Sequence, residues 1–282
     1  MLENTAILLY YTDRIIMNAH FCVKHLCAFA QKGERNVFRD ERLNSILELT
    51  VKCGFVTVPE LCRQFQVSPA TIRRDLQILS QKGLLQRNRN GAVPWQEQHT
   101  EASVHFRAAV NAKAKQKIAR AAADLLSDGN LIFIDSSTTV LSMVDFLSSR
   151  HNLTIVSNSL LLMTLMRGTA HRLILTGGEY YAPSHAFYGE WAAEALNAYN
   201  FDFAFISSVA VTRDGWAAET MERSVSVRKT ALRRAKVKVL MCDKSKMNLQ
   251  RAYNIAHIDE MDYIITDDPA FPGETQSAVI RV

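Results

Sequence analysis

The sequence predicts a mixed α/β protein of two domains: a small helical domain closed by a basic hairpin, then a larger domain built on a mainly parallel sheet. Three observations predict it. Residues 39–93 hold three helix signals, the last two joined by a short polar connection, followed by a hairpin marked by Asn and Gly. From residue 106 onward, short apolar runs alternate with helical patterns. The chain has 282 residues, 48% of them hydrophobic, which exceeds the usual single-domain size and can bury a sizeable core.

Charge and cysteine usage narrow the class. Thirty-three Lys and Arg against 28 Asp and Glu leave a net charge of +5, compatible with a polyanionic partner but also common in proteins that never touch nucleic acid. Five cysteines, Cys22, Cys27, Cys53, Cys62 and Cys242, form no CxxC pair and favour a reducing, cytoplasmic setting. His20, Cys22, His25 and Cys27 carry zinc-ligand chemistry, but no turn residue brings them together, so neither metal nor other cofactor is expected. Residues 1–36 read as an N-terminal extension of unknown role. "TAILLYY" is too short to span a bilayer, and no basic start or small-residue cleavage site marks a signal peptide. A start at Met17 or later, or an added helix over another surface, are both open.

The domain over residues 37–93 is justified helix by helix. "RDERLNSILELTVKCG" spaces Leu43, Ile46 and Leu47 as a helix that stops at Lys52 and Gly54. "TVPELCRQF" pairs Thr57 with Glu60 as a capping box and puts Val58, Leu61 and Phe65 on one face. In "SPATIRRDL", Ser68 is an N-cap and Pro69 a first helical residue. Ile72, Leu76 and Leu79 then face inward, leaving Ala70, Thr71, Arg73, Arg74 and Gln77 outside, with Asp75 expected to steady a neighbouring basic group. "KGLLQRNRNGAV" follows as a strand, a turn at Asn90 and Gly91, and a second strand, a wing that carries Arg87 and Arg89. Over residues 39–93, nine basic residues stand against five acids, so most of the chain's excess charge sits here. A charged helical face alone is often only solvated. Behind a capped helix and before a basic hairpin, it fits a recognition helix in the major groove, where arginine bridges guanine and hydroxyls grip phosphate.

"VTVPELCRQFQVSPATIRRDLQILSQKGLLQRNRNGAV" resembles the winged helix of the DeoR family of bacterial transcription regulators, through the Val-Ser before the helix, Thr71 to Leu76 within it, and Gly91-Ala92 at the wing. The resemblance implies that Ser68, Pro69, Ala70, Thr71, Arg73, Arg74, Gln77, Arg87 and Arg89 meet DNA. Arg89 stands where that family usually has histidine. Asn90 stands where it has glycine, and asparagine's tolerance of left-handed dihedrals is expected to preserve the turn.

After a polar linker, residues 94–105, "FRAAVNAKAKQKIARAAADLLSDG" reads as one helix. "LIFID", "LTIVS", "RLILTGG", "DFAFISS", "KVKVLMC" and "DYIIT" read as strands between helices "TTVLSMVDFLSS", "SLLLMTLM", "EWAAEALNAY" and "RSVSVRKTALRRA". A ligand site is expected at the carboxyl ends of the strands, where Asp135 to Thr139, Ser157 to Ser159, Thr176 to Gly178 and the Asp243 to Lys246 turn supply hydroxyls, amides and charge. Singly, each of these is as well explained as a helix cap.

This part is similar to the DeoR-family sensor domain, whose fold is that of ribose-5-phosphate isomerase and the CoA-transferase-like enzymes. The resemblance implies an effector domain over residues 106–282. A phosphorylated sugar or related metabolite would be held there by Asp135, Ser136, Ser137, Thr138, Thr139, Asn158, Gly177, Gly178, Arg228, Lys229, Asp243 and Lys246. Ser137 replaces the family's usual glycine, Ser157 its threonine, and Ser226 an acid. The expectation is a sequence-specific, homo-oligomeric DNA-binding repressor of a carbohydrate operon, relieved by the metabolite, without enzymatic activity. The alternatives are an isomerase or CoA-transferase-like enzyme using Asp135, Asp243 or Glu179, and a nucleoid or RNA-binding protein without sequence preference.

Overall fold

The computed structural model describes residues 42–43, 45–47, 49–50, 55–81, 84–94, 104–271 and 275–282. The extension 1–36 with its His and Cys cluster, the helix stop at Lys52 and Gly54, and linker residues 95–103 lie outside the described residues. The chain divides into two compact units, Met1–Ala112 and Lys113–Val282.

In the first unit, residues 42–43, 45–47 and 49–50 are helical and bury Leu43, Ile46 and Leu47. Strand β1 (Val56–Thr57) leads into α1 (Val58–Phe65). Thr57 Oγ1 accepts from the Glu60 amide while the Glu60 carboxylate accepts from the Thr57 amide and hydroxyl, the capping box expected here. Gln66 ends α1 in a left-handed conformation (φ 51°) and turns the chain toward α2 (Pro69–Gln81). Ile72, Leu76 and Leu79 of α2 are fully buried against Leu61, Leu85 and the helical residues near Leu43.

Strands β2 (Leu85–Arg87) and β3 (Gly91–Pro94) form the wing, and β1 adds a third, antiparallel strand in the order β1-β3-β2. Two residues are too few to show a period, which is why β1 was not anticipated. Gly91 is opposite Thr57, and a Cβ there would lie 1.9 Å from the Val56 carbonyl oxygen, so the pairing requires glycine. The wing turn corrects the sequence expectation. Asn90 is not left-handed. The turn is held instead by the Asn88 side-chain oxygen, which accepts from the amides of Asn90 (3.0 Å) and Gly91 (2.8 Å).

The expected helix from residue 106 to the Gly129 turn is interrupted. Helix α3 (Val104–Ala109) ends, Asn111 takes a left-handed φ of 54°, and α4 (Ala112–Asp124) starts anew. Ala109 and Val110 pack on the core of the first unit.

The second unit is organised by a seven-stranded parallel sheet: β4 (Leu131–Ile134), β5 (Thr154–Ser157), β6 (Arg172–Leu175), β9 (Phe201–Ile206), β12 (Ala235–Met241), β14 (Tyr263–Thr266) and β15 (Ala278–Arg281). Their order is β15-β14-β12-β9-β4-β5-β6, so the chain winds one way from β4 and the other way from β9. Phe133, Val156, Ala204, Leu240 and Ile264 are completely buried, as strands covered on both faces require. Between β4 and β5 the expected single helix splits into α5 (Thr138–Leu141) and α6 (Val144–Leu147). There the Ser142 hydroxyl donates back to the Thr138 carbonyl at 2.9 Å, a contact that bends helices. Helix α7 (Leu160–Leu165) joins β5 to β6, α8 (Glu190–Ala195) precedes β9, and α9 (Glu222–Arg233) precedes β12.

Two antiparallel additions carry no clear sequence signal. Strands β7 (Glu179–Tyr181) and β8 (Ala186–Tyr188) form a hairpin, and β10 (Ala210–Val211), β11 (Trp216–Glu219) and β13 (Tyr253–His257) form a small sheet.

Candidate functional site

On the first unit, the amino end of α2 is built for presentation. Ser68 Oγ accepts from the Thr71 amide at 3.2 Å and lies 3.0 Å from the Thr71 hydroxyl, and the Ser68 carbonyl accepts from the Ile72 amide. Ser68, Pro69, Ala70, Arg73, Arg74 and Gln77 are exposed, and Thr71 is partly so. Arg87 and Arg89 are exposed on the wing of the same unit. Asp75 does not join this face. It is buried and accepts from Arg42 Nε at 2.7 Å, tying α2 to the preceding helix.

On the second unit, the polar residues singled out in the sequence collect along the carboxyl edge of the sheet. Ile134 pairs with both Ser157 and Phe205, so Asp135 emerges between the ends of β5 and β9, where the winding reverses. Its carboxylate is fully engaged. Oδ1 accepts from the Ser137 amide at 2.8 Å and from the Ser137 hydroxyl; Oδ2 accepts from the Ser207 amide at 3.2 Å and Arg228 Nε at 2.8 Å. Arg228 Nη1 in turn lies 3.2 Å from Glu219 Oε1. All three ionic side chains are buried. Burial works against the guanidinium charge, but Glu219 and Asp135 outweigh it and hold the Arg228 pKa above its ordinary value.

Beside this triad, Ser136 Oγ lies 2.9 Å from the Tyr188 hydroxyl and accepts from Asn158 Nδ2 at 3.3 Å. Asn158 Nδ2 also donates to the Phe187 carbonyl at 2.9 Å, which sets the amide's orientation. Asn158 Oδ1 and Ser208 Oγ are buried with no hydrogen-bond partner among the described residues. Buried acceptors left open in this way suit a ligand that donates to them.

Several residues of this edge double as caps. Ser137 caps α5 and Ser159 caps α7. The same turn closes four parallel strands, a side chain accepting from the amide two residues on: Asp135 from Ser137, Ser157 from Ser159, Asp243 from Ser245 and Thr266 from Asp268. Thr138 and Thr139 are buried within α5. Gly177 and Gly178 follow β6 with φ of 69° and 113°, and a Cβ on Gly178 would strike the Tyr188 carbonyl at 2.8 Å and Ala192 at 2.9 Å. Lys229 is exposed and leaves α9 on a different side from its buried neighbour Arg228. Lys246 is half-buried in the turn after Asp243. Sequence reasoning did not single out Tyr188, Ser207 or Glu219. The available signal for Glu219 was an acid closing the apolar strand "WAAE".

A winged helix-turn-helix with a basic recognition helix, followed by a parallel α/β domain with a polar sheet edge, defines a two-domain DNA-binding transcription regulator. Residues 42–98 match the DeoR-like helix-turn-helix domain, and residues 110–268 match the DeoR C terminal sensor domain. The chain belongs to the DeoR family. It is 32% identical over 238 residues to the glycerol-3-phosphate regulon repressor of Escherichia coli (strain K12), covering 81% of this chain and 91% of that one. It is 30% identical over 233 residues to the HTH-type transcriptional repressor GlcR of Bacillus subtilis (strain 168), covering 82% and 89%. It is also 32% identical over 243 residues to the lactose phosphotransferase system repressor of Lactococcus lactis subsp. lactis, covering 83% and 93%. Among solved structures, ribose 5-phosphate isomerase A from Methanocaldococcus jannaschii aligns with a TM-score of 0.37 at 19% identity, over 49% of this chain and 55% of that one. Among the described residues no helix is long and apolar enough to cross a membrane.

Proposed function

We propose that this chain is a cytoplasmic bacterial repressor of a carbohydrate-metabolism operon, that it binds its operator as a homo-oligomer, and that a phosphorylated sugar or derivative releases it. The observation that carries the DNA side is the exposed Arg73–Arg74 pair on a helix capped by Ser68 and anchored by Ile72, Leu76 and the buried Asp75. In this reading Arg73 and Arg74 contact bases and phosphate, Ser68, Thr71 and Gln77 position the helix, and Arg87 and Arg89 grip the backbone beside the groove. The effector is read at the sheet edge by Ser136, Asn158 and the loops after β6 and β12. Asp135 and Arg228 hold the turns after β4 and β9 in place rather than touching the ligand.

The absence of enzymatic activity is part of the proposal. It is supported by how two of the three candidate acids are spent: Asp135 has both oxygens engaged, and Glu179 pairs with Arg223. The test is operator titration. With sites mapped genome-wide, Arg73→Ala is expected to weaken operator binding at matched salt by about 1–3 kcal/mol, roughly 5- to 150-fold. Sugar phosphates of the regulated pathway should then release the wild-type protein. Unchanged affinity in the variant, or no discrete bound sites, sinks the reading.

A further inference from the structure

Helix α7 and strand β6 close one edge of the parallel sheet, and the helix is apolar apart from Thr164, whose hydroxyl donates back to the Leu160 carbonyl. In "SLLLMTLM" only Leu162 and Met166 turn into the core, while Leu161 and Met163 are half-buried and Leu160 is 37% exposed. Helices apolar nearly all round are those covered on more than one side. Strand β6 repeats the pattern. It pairs with β5 alone among the described residues, its last three positions are half-buried Leu, Ile and Leu, and its only charge is Arg172 at the first position. Edges that stay in solvent are normally blunted by charge, proline or a bulge.

The apolar surface continues over the β7–β8 hairpin. The Leu160 amide donates to the His185 carbonyl at 2.9 Å, and the rings of His185 and Phe187 contact Tyr180, which is 46% exposed. Gly178, just before β7, lies against Ala192, and next to Ala192 the Trp191 side chain is 85% exposed. Tryptophan in such a setting is a typical interface anchor.

We infer that this edge is the contact between two copies of this chain, related by a two-fold axis crossing β6. Charge favours the self-pairing. Arg167 and Arg172 are exposed at the amino end of β6, and Glu190 is exposed beside Trp191 near its carboxyl end. A two-fold that reverses β6 sets each basic end against the partner's acidic end. A stable pair needs about 800 Å² from each partner, of which an exposed tryptophan can supply about 200 Å². The inference rests on the proposed function only for its purpose, which is to bring two recognition helices to two half-sites.

Sedimentation of the full-length protein without DNA tests the association by itself. The wild type is expected at twice the 31.8 kDa chain mass or more. Trp191→Glu and, separately, Leu160→Glu should each weaken the assembly by at least about 30-fold, the loss of one interface anchor, with circular dichroism unchanged. A wild type that sediments as a single chain, or two variants that assemble as the wild type does, overturns the inference. Arg73→Ala that holds operator as tightly as the wild type, while the two surface variants disassemble, sinks the operator reading alone, so the two fail separately.

Discussion

Arg228 sits between carboxylates that come from two different places in the fold, Asp135 in the turn after β4 and Glu219 at the end of β11, with all three side chains withdrawn from water. Such a group is weak evidence of net stabilisation, but removing one member leaves the rest buried and uncompensated, at about 3–5 kcal/mol. Arg228→Ala strands two carboxylates and is expected to lower the unfolding free energy measured in urea by an amount in that range. Arg228→Lys should recover only part of it, because an ammonium cannot span both partners as the planar fork does. A loss under about 1 kcal/mol in the alanine variant would mean the triad relaxes freely. Two glycines separate backbone conformation from space in the same way. Gly91→Ala drives a Cβ into the Val56 carbonyl and should open the wing, abolishing DNA binding. Gly177→Ala meets nothing within 4 Å and carries only the left-handed penalty of about 1–2 kcal/mol.

At the level of elements, the recognition helix is assembled from local instructions: a Ser cap, a Pro start and an i, i+4, i+7 apolar face of Ile72, Leu76 and Leu79. That is why it was legible in the sequence, as were the parallel strands, whose continuous apolar runs end in hydroxyl or carboxylate turns. Other features were hidden because nothing local encodes them. Strand β1 has two residues, the β7–β8 hairpin and the β10-β11-β13 sheet lack a sustained alternation, and the Asp135 to Arg228 contact joins residues 93 apart. The wing turn was expected for the wrong reason, since Asn88 supplies a hydrogen-bonding carboxamide where a left-handed Asn90 was foreseen. Helix α6 offers a pH test. Desolvation raises the Asp145 pKa, with the Gln116 hydrogen bond pulling the other way. A carboxyl raised on folding favours the native state below its unfolded pKa and loses that advantage as pH rises through the folded value. Asp145→Asn, which cannot ionise, should therefore raise the melting temperature at pH 7 relative to wild type, and the gain should vanish near pH 3.

For the whole molecule, release of DNA by an effector requires linkage between the two units. An effector can release DNA only through a difference in its affinity for the DNA-competent and DNA-incompetent states. If a sugar phosphate lowers operator affinity by some factor, operator DNA must lower the protein's affinity for that sugar phosphate by the same factor. Calorimetric titration of glycerol 3-phosphate or glucose 6-phosphate into the full-length protein, with and without saturating operator, measures one factor, and operator titration with and without the compound measures the other. Equal factors of about 5 to 150, the usual coupling range, are expected for the true effector. Asn158→Leu removes the unsatisfied Oδ1 acceptor at the sheet edge and should weaken effector binding in both arms while leaving the effector-free operator affinity unchanged. Were operator affinity to fall in that variant without effector, Asn158 would be supporting the fold of the second unit rather than reading a ligand.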